Sequence, residues 1–325
     1  MRVVDPLRGS SVELELGPGL RLAEGELIRA LDDDTNSLGW CVALRAAAPG
    51  RFRYSVNLRS REGQPVASEG RDVTAVACGR IKFDPAEDGF AFDNRPDLFG
   101  RARPPQRVFD RTFNGGPSLL RSRLFDGLYE SVFQTGLCTG MARAASWFAT
   151  ADSAGRAVDR TTDDDETRET IQLLHGRQLS DRALLSSAYA LLTGGPRKVF
   201  RKFREQALTA GHSPIAIDVG VPKLTRSDFL RAVVRQGHTV VPYAYRLLPD
   251  GIAHIHVYDP VYASGRRDGE VPVIEIDLGR NSYVYRKWSS ENPADRTTIL
   301  GVPLSAYAGG RTAYIAGIAS LFGLS

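Results

Sequence analysis

Three residues of this sequence have side chains whose types and settings suit acyl transfer: Cys138, His238 and Asp259. Cys138 lies in Phe133-Gln134-Thr135-Gly136-Leu137-Cys138-Thr139-Gly140-Met141-Ala142, followed by Ala144-Ala145-Ser146-Trp147-Phe148. Gly136 ends the preceding helical pattern and the small residues after Cys138 favour a new helix, so the spacing predicts the thiol in a first turn. There, unpaired backbone N–H groups and the positive end of the helix dipole favour the thiolate, drawing the pKa down from its free value of about 8.5. A neighbouring amide at the same end can donate to an oxyanion formed beside the sulfur. Cys41 and Cys78 sit in apolar, strand-like surroundings and are read as structural.

His238 opens the strand-like run that follows Gln236-Gly237. The run ends at the hairpin signal Pro249-Asp250-Gly251, and the chain returns through Ile252 to Tyr258, Asp259 and Pro260. A turn centred near Asp250 puts His238 and Asp259 at the same open end of one hairpin, where a carboxylate can hold an imidazole in one tautomer. His254 and His256 alternate on one strand face. With no cysteine or carboxylate following at ligand spacing, they are read as sheet-face histidines rather than metal ligands. His175 and His212 have no chemical context. Asp32-Asp33-Asp34-Thr35-Asn36 lacks the glycine and terminal glutamate of a cation loop and is read as a solvated turn.

The elements that must position these residues change character along the chain. From residue 10 to about 95, alternating stretches such as Val12 to Leu16 and Phe52 to Leu58 are broken by turn residues, which predicts a β-rich module. Asn94 to Pro105 is rich in Pro, Arg and Gly and reads as a linker or strap, so the boundary falls near residue 104. Helical spacing follows over Pro117 to Phe133, Met141 to Ala149, Ile171 to Leu174 behind the acidic start Asp163 to Glu166, and Ala183 to Leu192. After residue 212, β-branched and aromatic runs predict strands at Pro214 to Val219, His238 to Leu248, Ile252 to Tyr258 and Val271 to Leu278, with a helix at Ser227 to Arg235. The expected organisation is therefore a β-rich domain over residues 1–104 and an α+β domain over 105–325, helices first and antiparallel sheet second.

With 42% hydrophobic and 25% charged residues among 325, the composition excludes disorder, collagen and coiled coil. The net charge of +4 is a weak pointer to nucleic acid, because only five of the 42 basic residues are lysine and the arginines interleave with 38 acids. The one basic concentration, Arg197 to Arg204, carries Val199, Phe200 and Phe203 on one helical face and reads as the solvated side of a packed helix. No nucleic-acid partner is expected. Three cysteines cannot all pair with one another, which suits a reduced compartment. No signal-like apolar stretch opens the chain and no run is long enough to span a bilayer, so a cytoplasmic protein without membrane attachment is expected.

Gly136-Leu137-Cys138-Thr139-Gly140-Met141-Ala142, Gly237-His238-Thr239-Val240-Val241-Pro242-Tyr243 and Val257-Tyr258-Asp259-Pro260 together resemble the papain-like cysteine peptidase superfamily. The likeness is to bacterial papain-like proteins with a G-x-C-x-G-M-A nucleophile helix and a G-H-x-V…V-Y-D-P hairpin. It extends over roughly residues 105–300 in layout. The resemblance implies a papain-like catalytic domain with Cys138 as nucleophile, His238 as general base and acid, and Asp259 orienting the imidazole. It also implies a side-chain oxyanion donor shortly before the cysteine. Gln134 is the candidate, closer to Cys138 than the corresponding residue in papain, and Asn114 is a second. Trp147, further along the same helix, is read as core.

The implied activity is a thiol hydrolase, most simply a peptidase acting on a protein or peptide substrate through a thioester, with no metal or organic cofactor. Two alternatives stand beside it. One is an acyltransferase or transglutaminase-like enzyme using the same triad. The other is a catalytically silent binding or assembly protein in which residues 1–104 recognise a partner.

Overall fold

The computed structural model describes residues 11–24, 28–30, 43–48, 50–75, 77–94, 104–113, 118–133, 136–150, 155–209, 215–222, 237–263, 271–285, 288–289, 297–308 and 312–321. Their contacts divide the chain into two compact units, Met1–Ala77 with Leu247–Gly251, and Cys78–Arg246 with Ile252–Ser325.

The first unit is built of strands, as the alternating pattern predicts. β1 (Ser11–Leu16), β2 (Leu20–Glu24), β3 (Ile28–Ala30), β4 (Ala43–Ala46), β5 (Gly50–Arg59) and β6 (Pro65–Ala75) form a four-stranded sheet of order β3-β1-β5-β6 and a separate β2-β4 pair. The long β5–β6 ladder is antiparallel. Its turn closes through Gly63, whose φ of 79° is one that glycine adopts without strain. The acidic stretch Asp32 to Asn36 lies outside the described residues.

The second unit begins within β7 (Ala77–Arg80), earlier than the expected boundary near residue 104, and packing explains the difference. The segment after β7 has no long periodic pattern but is threaded through the core of this unit. Ile81 N–H donates to the Tyr243 carbonyl at 2.9 Å, and Phe83 packs on Tyr258 with ring centroids 5.8 Å apart. Phe90 is fully buried, edge-on to Phe148, and its N–H donates to Tyr258 Oη at 3.2 Å. Between Phe83 and Phe90 lies a one-turn helix, α1 (Pro85–Asp88), capped by the Asp84 carboxylate.

Helices follow: α2 (Gln106–Thr112), α3 (Ser118–Arg123), which runs through a π-helical stretch at Leu124–Tyr129 into α4 (Glu130–Phe133), then α5 (Cys138–Thr150), α6 (Asp165–Gly176), α7 (Asp181–Thr193) and α8 (Pro196–Thr209). Their starts are chemically marked. Asp164 caps α6, and Ser180 caps α7 by accepting from Ala183 N–H. Phe109, Phe113, Phe125, Leu128 and Tyr129 form an aromatic core that Leu179 and Leu184 complete. The basic segment is α8, with Val199, Phe200 and Phe203 buried, as its pattern predicts.

The sheet follows the helices: β8 (Ile215–Pro222), β9 (His238–Leu247), β10 (Ile252–Tyr258), β11 (Val273–Asp277), β12 (Ser282–Tyr285), β13 (Trp288–Ser289) and β14 (Thr297–Pro303). The order is β13-β12-β11-β10-β9-β8-β14, with β7 also paired to β9. Antiparallel ladders join β8 to β9 and β14, and β10 to β11. This is an α+β architecture of helices and antiparallel sheet. The helix expected at Ser227 to Arg235 lies outside the described residues. No helix among the described residues is long and apolar enough to cross a membrane.

Candidate active site

Cys138 is the first residue of α5 and is half-buried. Gly136 makes the break before it, with φ 104°, a value open to glycine and strained for other residues. Gly140, two residues further on, serves a different need. A Cβ there would lie 2.2 Å from the Ile171 carbonyl oxygen and 2.8 Å from His175 Cβ, so only glycine lets α5 approach α6 this closely.

The β9–β10 hairpin turns where Pro249-Asp250-Gly251 predicts, with Gly251 N–H donating to the Leu248 carbonyl at 3.1 Å. His238, the first residue of β9, and Asp259, just past β10, consequently meet at its open end. His238 Nε2 is 2.7 Å from Asp259 Oδ1, and both side chains are buried. Asp259 has no exposed surface, but its oxygens are well supplied with donors. Val261 N–H donates to Oδ1 at 2.9 Å and the Tyr285 hydroxyl donates to Oδ2. A buried carboxylate held this way is tolerated because its lost hydration is replaced.

With Nε2 engaged by Asp259, Nδ1 is the ring nitrogen left for the thiol, and Cys138 and His238 do interact through a side-chain hydrogen bond and charge. Burial pushes the Cys138 thiol up, but the His238 ring, the Thr239 N–H and the Thr139 hydroxyl outweigh it and hold the thiol below its ordinary value. Burial pushes the His238 imidazole down, and the charge and hydrogen bond of Asp259 together with Cys138 reverse this, holding it well above its ordinary value. Both shifts run in the direction of a thiolate beside an imidazolium.

A second polar chain supports the helix start from below. Thr139 and Thr239 hydroxyls lie 2.7 Å apart, and Thr239 Oγ1 donates to Asp218 Oδ1 at 2.7 Å. It follows from the sheet register, which sets Asp218 opposite Thr239 and Val219 opposite His238.

Two contributors are invisible to local pattern. Tyr285 reaches Asp259 only because β12 folds back along the sheet. Asn94, in the segment read as a linker, accepts from Leu137 N–H through Oδ1 at 2.7 Å, and its own N–H donates to the Pro260 carbonyl at 2.7 Å. The cue available was an asparagine two residues before a proline, at the start of a Pro-, Arg- and Gly-rich stretch, which reads equally as a turn.

The remaining sequence candidates fall elsewhere. Gln134, Asn114, Cys41 and His212 lie outside the described residues. Cys78 is exposed rather than buried. Trp147 is corrected from core to surface, 46% exposed, because it projects from the outer side of α5. His254 faces Glu275 across the β10–β11 ladder at 3.4 Å. His175 is buried against the Val132 carbonyl. Among the described residues no group of three or more His, Cys, Asp or Glu could hold a metal ion.

The fold and site thus define a class: an α+β protein with a helix-terminal cysteine, a strand-opening histidine and a buried aspartate in series. Compared with models of protein families, with curated proteins and with solved structures, the chain finds no match.

Proposed function

We propose that this protein is a papain-like cysteine hydrolase, most simply a peptidase that cleaves a peptide or isopeptide bond. One juxtaposition carries the reading: a half-buried thiol at the start of α5 interacts with His238, whose far nitrogen is fixed 2.7 Å from buried Asp259. A structural cysteine needs neither a base nor a carboxylate behind that base.

In this reading Cys138 Sγ, as thiolate, adds to the substrate carbonyl carbon, and the oxygen takes the negative charge. The open N–H groups of the first turn of α5 face such a charge favourably. His238 passes its proton to the leaving nitrogen as the C–N bond breaks, which leaves a thioester and a neutral imidazole. Water then adds to the thioester carbon while His238 takes its proton. Collapse breaks the C–S bond, releases the acid and restores the thiolate–imidazolium pair. Asp259 keeps the ring in the orientation both proton transfers need.

The test is mass spectrometry of a mixed peptide library incubated with the protein in 18O-water. Cleavage with one 18O in each new carboxylate, absent in Cys138→Ala and His238→Ala, is the expected result. Transfer of the acyl group to an added amine in place of water would reassign the protein to the transferases. No turnover, together with a Cys138 no more reactive than Cys78, would remove the enzymatic reading altogether.

A further inference from the structure

Past its first turn, α5 borders a cavity of about 440 Å³ to which none of Cys138, His238 and Asp259 contributes. Three arginines line it, Arg111, Arg143 and Arg177, and no acid is among its described lining residues. Its other walls are largely apolar, formed by Leu173 and Leu174 of α6, Leu304 and the Tyr307 ring, with exposed Trp147 beside them.

Arg143 is the residue that demands an explanation. It is 3% exposed, its guanidinium carbon stands 3.2 Å from the centroid of the Tyr307 ring, and its Nε and Nη1 have no hydrogen-bond partner among the described residues. A guanidinium has five donors in a planar fork, and donors buried idle keep the full cost of lost hydration. The groups around it discharge that cost only in part. Tyr307 offers its ring face and shares a side-chain hydrogen bond with Arg143, which still leaves Nε and Nη1 idle, and Arg177 gives Nη1 to the Tyr307 carbonyl at 3.1 Å. Glu169, which pairs with Arg107 and Arg111, does not line the cavity. The acid whose charge acts on Arg143 is half-buried Asp218; burial raises its carboxyl, the charges of Arg143 and His238 and the Thr239 hydroxyl oppose this, and its Oδ1 accepts from Thr239.

We infer that this cavity is a binding site for an organic anion, a carboxylate or phosphate carried on an apolar body, with the charged head on Arg143 and the body against Leu173, Leu174 and Leu304. Charge and shape both favour it. Planar forks of donors suit carboxylate and phosphate oxygens, and a few convergent polar groups in an apolar cavity of this size are what small-molecule sites present. A neutral oxygen can accept from Arg143 but brings no charge to the three arginines, and charge-assisted hydrogen bonds are the stronger ones. The inference is independent of the proposed hydrolase activity, because no catalytic candidate lines the cavity.

The experiment is calorimetric titration of the full-length Cys138→Ala protein with benzoate, phenyl phosphate and neutral benzyl alcohol. Saturable one-site binding of benzoate or phenyl phosphate is expected, at least about tenfold tighter than benzyl alcohol, and the preferred anion identifies the head group. Arg143→Met should weaken that binding at least about tenfold. Because loss of a buried arginine can perturb folding, Arg111→Gln is the second variant. Its side chain is 61% exposed, and a several-fold loss of affinity is expected there. Absence of saturable anion binding, equal affinity for benzyl alcohol, or unchanged affinity in Arg111→Gln overturns the assignment.

Discussion

Asn94 Oδ1 accepts the backbone N–H of Leu137 at 2.7 Å, across 43 residues of sequence, and so holds the residue that immediately precedes the candidate nucleophile. The same asparagine donates its backbone N–H to the carbonyl of Pro260, immediately after Asp259. One residue thereby ties the start of the thiol-bearing helix to the end of the strand that carries the carboxylate. It is a positioning residue: it touches neither the sulfur nor the imidazole.

Two substitutions at Asn94 should separate its roles. Asn94→Ala leaves the Leu137 N–H without its acceptor and should cost about 1 kcal/mol of stability, the usual cost of losing a helix-start acceptor. Asn94→Asp keeps the acceptor but sets a negative charge near the thiolate. Stability should be largely retained while the acid limb of Cys138 alkylation moves to higher pH. Urea unfolding and iodoacetamide rates against pH read the two effects. Matching changes in both variants would mean that the side chain merely fills space.

Iodoacetamide should label Cys138 well before exposed Cys78 at neutral pH, despite the lower exposure of Cys138. The sign follows from the lowered thiol and the raised imidazole. The reactive ion pair exists above the first and below the second, so the rate should persist on the acid side of the ordinary thiol range and change again only above the ordinary histidine range. His238→Ala removes the largest of the influences that lower the thiol and leaves only the Thr239 N–H and the Thr139 hydroxyl against burial, so the rate at pH 7 should fall at least about tenfold. Equal labelling of both cysteines, or no response to His238→Ala, would remove the basis for a nucleophile.

The parts of this site set by local chemistry were legible in the sequence, and the parts set by long-range packing were not. Gly136 before a run of small residues announced the helix start, and Pro249-Asp250-Gly251 set the hairpin that brings His238 to Asp259. Both signals act within a few residues. Tyr285 on Asp259 and the Thr139–Thr239–Asp218 chain depend on which strand lies beside which, and nothing near Tyr285 in sequence encodes that. Asn94 was masked by composition: a stretch rich in Pro, Arg and Gly reads as a linker, although the residues just before it are packed in the second unit. Trp147 misled for the opposite reason, since a large aromatic in an apolar helix is ordinarily core.

Gly140→Ala tests whether the close approach of α5 and α6 sets the nucleophile's position. Helix propensity alone favours alanine over glycine by about 1 kcal/mol. The new Cβ, however, would meet the Ile171 backbone oxygen at 2.2 Å, and backbone cannot swing aside as a side chain can. Overpacking of that kind costs about 1–3 kcal/mol, so the clash should win and the variant should be less stable. Thermal unfolding gives the sign. A rise in melting temperature would show that the helices separate freely and that this glycine does not set their spacing.

His175 should make the fold sensitive to acid. Its ring is 3% exposed, with Nε2 3.1 Å from the Val132 carbonyl and the edge of Phe133 beside it. Burial, the largest cause, pushes its pKa down from the ordinary 6.5 to about 4; the Val132 carbonyl opposes this and the charge of Arg143 reinforces it. Because the folded value lies below the unfolded one, the fold favours the neutral ring. This contribution is fully present above about pH 6.5 and is lost as the pH falls toward 4, where protonation in the unfolded chain competes. The full difference is of order 3 kcal/mol. His175→Gln can keep a donor to Val132 without titrating, while every carboxylate that also responds in this range is unchanged. Urea midpoints measured from pH 7 to pH 4 should therefore fall more steeply for the native protein than for His175→Gln. Parallel curves would show that the acid sensitivity belongs to the carboxylates alone.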